Sequence, residues 1–185
     1  MEEQNHWEKR IKWIRRAIFL LIYFVLAFNT IATDRLNKKY WSVVEWNYER
    51  RMNCEFNGDE YVMSGKCRFF RNEIRAAVEL FGIYYDEEHP DVAIILDIRE
   101  NKFGKIHYWL AIDDDEGNGR DPNFGGSSYF DENFQPVTMY DQEPDEKLIS
   151  LMNELHDEVK RVIEIANEKW KLGINYEYHE VLDPK

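Results

Sequence analysis

Residues 17–32 read AIFLLIYFVLAFNTIA, an uncharged run that only Asn29 and Thr30 interrupt. As a helix it would rise about 24 Å, against a bilayer hydrocarbon core of about 30 Å. Trp13 and Ile14 extend the run, and Arg15 and Arg16 can snorkel to headgroups. The chain as a whole is polar, with a mean hydropathy of -0.65, so the run is an exception to its composition. It reads as a single membrane-spanning anchor. Two other readings compete. One is a signal peptide cleaved after small residues such as Thr30 and Ala32. The other is the buried helix of a soluble core. The aromatics Phe19, Tyr23, Phe24 and Phe28, and the lack of a clean A-x-A site, favour the anchor.

The flanks orient it. Lys9, Arg10, Lys12, Arg15 and Arg16 precede the run, whereas Arg35, Lys38 and Lys39 come after it. The positive-inside rule then predicts a basic cytoplasmic tip over residues 1–16, an anchor over 17–32, and a soluble domain over 33–185 on the periplasmic or extracellular side of an inner or plasma membrane. Of the net charge of -12, residues 1–32 contribute +2, which leaves -14 on residues 33–185. Such a domain repels a phosphate backbone, which argues against nucleic acid. It would be pushed from an anionic membrane surface and would attract a partner protein with a cationic surface; the bland alternative is that the acidity only keeps the domain soluble. No linker, repeat or low-complexity tract divides it. Cys54 and Cys67 both fall in it, and outside the cytoplasm they would tend to form a disulfide; the alternative is two buried reduced thiols.

Downstream, Thr33 and Asp34 can cap a new helix or simply leave the membrane. Residues 36–52 read as a helical stem, although the alternation of Val44, Trp46 and Tyr48 also fits a strand. Asn57-Gly58 signals a turn, with short strands after it over 60–63 and 66–70. Ile74, Ala77, Val78 and Phe81 predict a helix over 72–81, with Gly82 as its C-cap. The clearest β signal is a hairpin of residues 92–98 and 105–112. Its strand Ile106, Tyr108, Leu110, Ile112 shows one face, and His107 and Trp109 the other. Residues 123–141 read as irregular, with one strand near 137–140. Pro144 opens a long helix whose stripe is Leu148, Leu151, Met152, Leu155, Val159, Val162, Ile163 and Ala166. Gly173 ends it, and Ile174, Tyr176 and Tyr178 alternate as a final strand. The class is α+β, with helices packed on a small antiparallel sheet.

Chemical motifs are sparse. The acidic stretch 113–121 places Asp114, Glu116 and Asn118 at alternate spacing before Gly119, with Asp121 after it, loosely as calcium loops do. It departs from the EF-hand pattern, with Glu at the third position and Gly125 where a bidentate Glu belongs. The stretch reads first as a solvated turn and no cofactor is expected, with Ca²⁺ the one ion it could hold. The same loop can dock a partner through Asp113, Asp115 and the nearby Trp109. His107 and His179 would meet only if their strands paired. No zinc motif, nucleophile elbow or phosphate loop occurs. An apolar N-terminal helix leading into an α+β head is also the layout of type IV pilins. Their processing signature is missing from Arg16-Ala-Ile-Phe-Leu-Leu, which excludes that family. The expected function is non-enzymatic: a membrane-anchored protein-binding domain, either an inhibitor or immunity protein against a secreted toxin or an envelope-complex subunit. The alternative is an envelope hydrolase or calcium-binding module built on residues 113–121.

Overall fold

In a computed structural model, residues 2–40, 60–83, 92–114, 126–139, 143 and 146–179 are described. One unbroken helix, α1 (Glu2–Tyr40), carries the apolar run into the domain. Its 39 residues extend about 58 Å. Every side chain from Ile18 to Leu26 is between 48% and 71% exposed, so this stretch is not packed into the core of the described chain. By length and composition α1 can cross a membrane. Thr30 donates its hydroxyl to the Leu26 carbonyl (2.9 Å), so it leaves no polar group bare.

No new helix begins at Thr33 or Asp34. The i,i+4 spacing of buried Ala32, Leu36 and Tyr40 keeps one face of α1 on the domain, so the same helix simply continues. The edge expected between anchor and domain at residue 33 thus falls inside α1. Of the expected stem, residues 36–40 are helical and the remainder lies outside the described residues.

The domain is an antiparallel meander in the order β1 to β6: β1 (Glu60–Ser64), β2 (Glu73–Ile83), β3 (Val92–Asn101), β4 (Ile106–Asp114), β5 (Gly126–Phe130) and β6 (Pro136–Val137). The β3–β4 hairpin forms as expected, with Leu96 opposite Leu110 and Ile98 opposite Tyr108. Residues 72–81 are not a helix. They are most of β2, hydrogen-bonded on one side to β1 and on the other to β3. Ile74, Ala76, Val78 and Leu80 alternate onto the core face, and pairing on both edges outweighs the helix preference of Ala, Glu and Leu. Gly82 sits where the β2–β3 register shifts, not at a helix end.

Two helices cover one face of the sheet with α1: α2 (Glu146–Glu154) and α3 (His156–Trp170). The expected single long helix breaks at Leu155 (φ -94°, ψ 25°), though the bonds from Leu155 N to Leu151 O and Val159 N to Leu155 O keep the ladder running past the break. Of the predicted stripe, Leu151, Met152, Leu155, Val159, Val162, Ile163 and Ala166 are buried, and the Leu148 side chain lies outside the described residues. They pack with Val78, Leu80, Ile94, Leu96, Leu110, Ile112 and Phe130 of the sheet. Trp170 lies 5.2 Å from the ring of Tyr40, tying the end of α3 to α1. Lys171 leaves α3 in the left-handed region (φ 54°).

Residues 174–178 form no strand, because Asn167 has already taken the backbone of Ile174. Its amide nitrogen donates to Ile174 O (2.7 Å) and its oxygen accepts from Ile174 N (2.9 Å). The same device removes the expected strand at 66–70. Asn37 donates to Cys67 O (3.1 Å) and accepts from Cys67 N (2.8 Å), so that peptide pairs with α1 instead of a ladder. Conversely, the stretch read as irregular supplies β5, which lines up on β4 through Phe130 opposite Leu110.

Candidate binding cleft

Strand alternation puts Arg99 of β3 and His107 and Trp109 of β4 on the sheet face away from the three helices. Arg99 is opposite His107 in the register, and Asp97 opposite Trp109. The Arg99 guanidinium lies over the Trp109 ring at 4.5 Å, a cation–π contact that also stiffens both side chains. Glu73 of β2 approaches the other side of Arg99, with 4.0 Å between charged atoms.

The β5–β6 turn forms the far wall. Asp131 organises it, its carboxylate accepting from Asn133 N (2.8 Å) and Gln135 N (3.0 Å). Phe134 adopts φ 59° there and packs against Tyr176 at 4.7 Å. That geometry presents Glu132, whose Oε1 lies 2.7 Å from His107 Nδ1. Tyr108 donates its hydroxyl to Glu132 O (3.2 Å). Burial pushes the Tyr108 hydroxyl above its ordinary pKa, and the charges of Glu132 and Asp131 add to that.

Together these groups line an open cleft of about 500 Å³. Its wall combines acids (Glu73, Asp131, Glu132), a cation (Arg99), an imidazole and an indole, with Val137 and Met139 at the edge. The arrangement suits recognition of a polar, mixed-charge surface.

The predicted residues divide. Trp109 lies in the cleft, and Asp113 comes next but one on the same face of β4, while Asp114 ends that strand. Asp115, Glu116, Asn118, Asp121 and Cys54 lie outside the described residues, so the calcium reading and the disulfide concern groups that the structure does not describe. Among the described residues, no three His, Cys, Asp or Glu side chains converge on one point. Cys67 is buried and makes no disulfide among the described residues, and burial raises its pKa. His107 does not meet His179. Its partner is Glu132, because the segment holding His179 never joins the sheet.

Arg99 and Glu132 carry the cleft, and Asp97 stands opposite its Trp109 in the register, without a motif to announce them. Asp97 does leave a signal, an acid inside the apolar run VAIILDI. Burial raises its carboxyl pKa, and Arg99 and Arg75 only partly oppose that. Glu132 leaves none, since its role depends on a turn in a stretch without regular periodicity. No protein-family model, curated protein or solved structure matches this chain.

Proposed function

We propose that this chain is a membrane-anchored, non-enzymatic protein-binding protein, with its N-terminus cytoplasmic and its acidic domain on the other side of the membrane. One observation carries the reading: α1 is continuous from the exposed apolar run to buried Leu36 and Tyr40, so whatever holds the run in a bilayer also holds the domain against it. A cleaved signal peptide fits this less well, because a cut after Ala32 would discard a buried residue and the Asn29 side chain bonded to buried Lys102. The partner is a protein with a cationic surface, drawn by the -14 of residues 33–185 and received in the cleft between Arg99 and Glu132. An inhibitor of a secreted toxin or a subunit of an envelope complex has this layout.

The test uses the full chain in its own cells, with a photo-crosslinking residue at exposed Asn133. The expected result is a discrete adduct with one basic protein, lost when salt is raised before irradiation. A folded, membrane-held chain that gives no adduct overturns the binding reading. Orientation is read separately, from labelling of Glu164→Cys by an impermeant maleimide above the background of the parent chain. Labelling only after lysis would place the domain in the cytoplasm.

A further inference from the structure

One end of this acidic domain is basic. Residues 65–72 read GKCRFFRN and residues 101–105 read NKFGK; between them they hold Lys66, Arg68, Arg71, Lys102 and Lys105 and no acid. The fold brings the two segments together and points both down α1 toward the apolar run. Ser64 donates to the Tyr40 carbonyl (2.9 Å), and Cys67 is held by Asn37. Lys102 Nζ donates to Phe69 O (2.6 Å), to Arg68 O (3.3 Å) and to Asn29 Oδ1. Phe103 then stacks on Phe28 at 5.3 Å between centroids. From Tyr40 to Phe28 the tips descend about 18 Å along the helix.

At the bottom stand Phe70, 92% exposed, and Phe103, 80% exposed, with Lys66, Arg68, Arg71 and Lys105 exposed around them. An apolar groove of about 440 Å³ runs between Phe103 and Phe24, Val25 and Phe28 of α1. Bare phenylalanines ringed by cations are a poor surface for water. They suit the boundary of a bilayer, where aromatic rings take the headgroup level and Lys and Arg meet lipid phosphates.

We propose that residues 65–72 and 101–105 seat on the anionic phospholipid surface of the membrane that α1 crosses. Phe70 and Phe103 enter the interfacial layer, and Lys66, Arg68, Arg71 and Lys105 contact lipid phosphates. This rests on the membrane reading of α1. The domain then lies flush on the bilayer instead of riding on a stalk. The hydrocarbon-facing part of α1 then runs from Trp13 to near Phe28, about 24 Å as a helix, and the buried Lys102–Asn29 bond marks the floor of the domain.

The test reconstitutes the full chain in vesicles of zwitterionic lipid alone or with an anionic phosphatidylglycerol fraction. Phe103→Trp and Phe70→Trp are compared with the parent for quenching of the added fluorescence by lipids brominated near the headgroup. The expected result is quenching in anionic vesicles that falls by about twofold or more in zwitterionic ones, or when Lys66, Arg68, Arg71 and Lys105 are all changed to Glu. Resistance to alkaline carbonate extraction reads the membrane reading by itself. A chain that resists extraction yet shows no added quenching in any lipid overturns the seating alone. Quenching that ignores lipid charge and the four substitutions overturns the phosphate contacts. Release by carbonate overturns the membrane reading and the proposal with it.

Discussion

Glu100 is 3% exposed, and three groups of α1 converge on its carboxylate: Lys39 Nζ at 2.5 Å, Tyr40 Oη at 3.0 Å and Arg35 at 3.3 Å. A buried charge is tolerated when its hydrogen bonds are complete, and removing it strands its partners. Glu100→Ala should therefore cost about 2–4 kcal/mol, read as a lower denaturation midpoint of the full chain in detergent. Glu100→Gln, which still accepts from Tyr40, should cost less. Asp97 makes the opposite kind of case. Its folded pKa lies above its unfolded value because burial opposes the charge. The stability tied to its neutral form is present below the unfolded pKa of about 3.9 and is lost as pH rises through the folded value. Asp97→Asn should thus become progressively more favourable, relative to the parent, as pH rises from acid to neutral. Thermal melts of both proteins across that range check this, and a constant difference would refute it.

Two asparagines decide where the elements stop. Asn167 and Asn37 each bond both polar groups of one distant peptide, Ile174 and Cys67, and each thereby cancels a strand that the alternation of side chains suggests. Asn167→Ala should cost about 1–2 kcal/mol, and hydrogen exchange at the Ile174 amide should accelerate more than at the α3 amides. The sheet core is legible in residues 92–98 and 105–112, where β-branched runs flank a turn of Asn101, Lys102, Phe103 and Gly104. Gly104 takes φ 87° there, a conformation costly for other residues. β2 is not legible. Its residues Ile74, Ala77, Val78 and Phe81 satisfy a helical stripe as well as Ile74, Ala76, Val78 and Leu80 satisfy a strand, and only β1 and β3 on its two edges choose between them. The break at Leu155 is equally hidden, because the buried stripe runs through it unchanged.

At the scale of the molecule, α1 belongs to two environments. Its apolar run is bare, and its last turns are core. A chain starting at residue 33 loses buried Ala32 and the Asn29 oxygen that faces Lys102, a lysine only 4% exposed. Such a truncation should melt below one starting at residue 29, by an amount that matches about 1–3 kcal/mol for a buried ammonium with a lost partner. Equal melting points would mean that the floor of the domain contributes nothing to its stability.

Composition and local periodicity are enough to establish the apolar run and its basic flank, the acidity of residues 33–185, the α+β class, the central hairpin and the buried stripe of α2 and α3. Each of these is a property of one short stretch of chain or of a sum over residues, so it can be read without knowing what packs against what. Other features exist only in the packed molecule: α1 running unbroken into the core, residues 72–81 as a strand, His107 meeting Glu132 and not His179, and two short basic segments sharing one end of the domain. Every one of them is a pairing between residues distant in sequence, and hydrogen bonds and burial across such distances are settled by the folded chain as a whole.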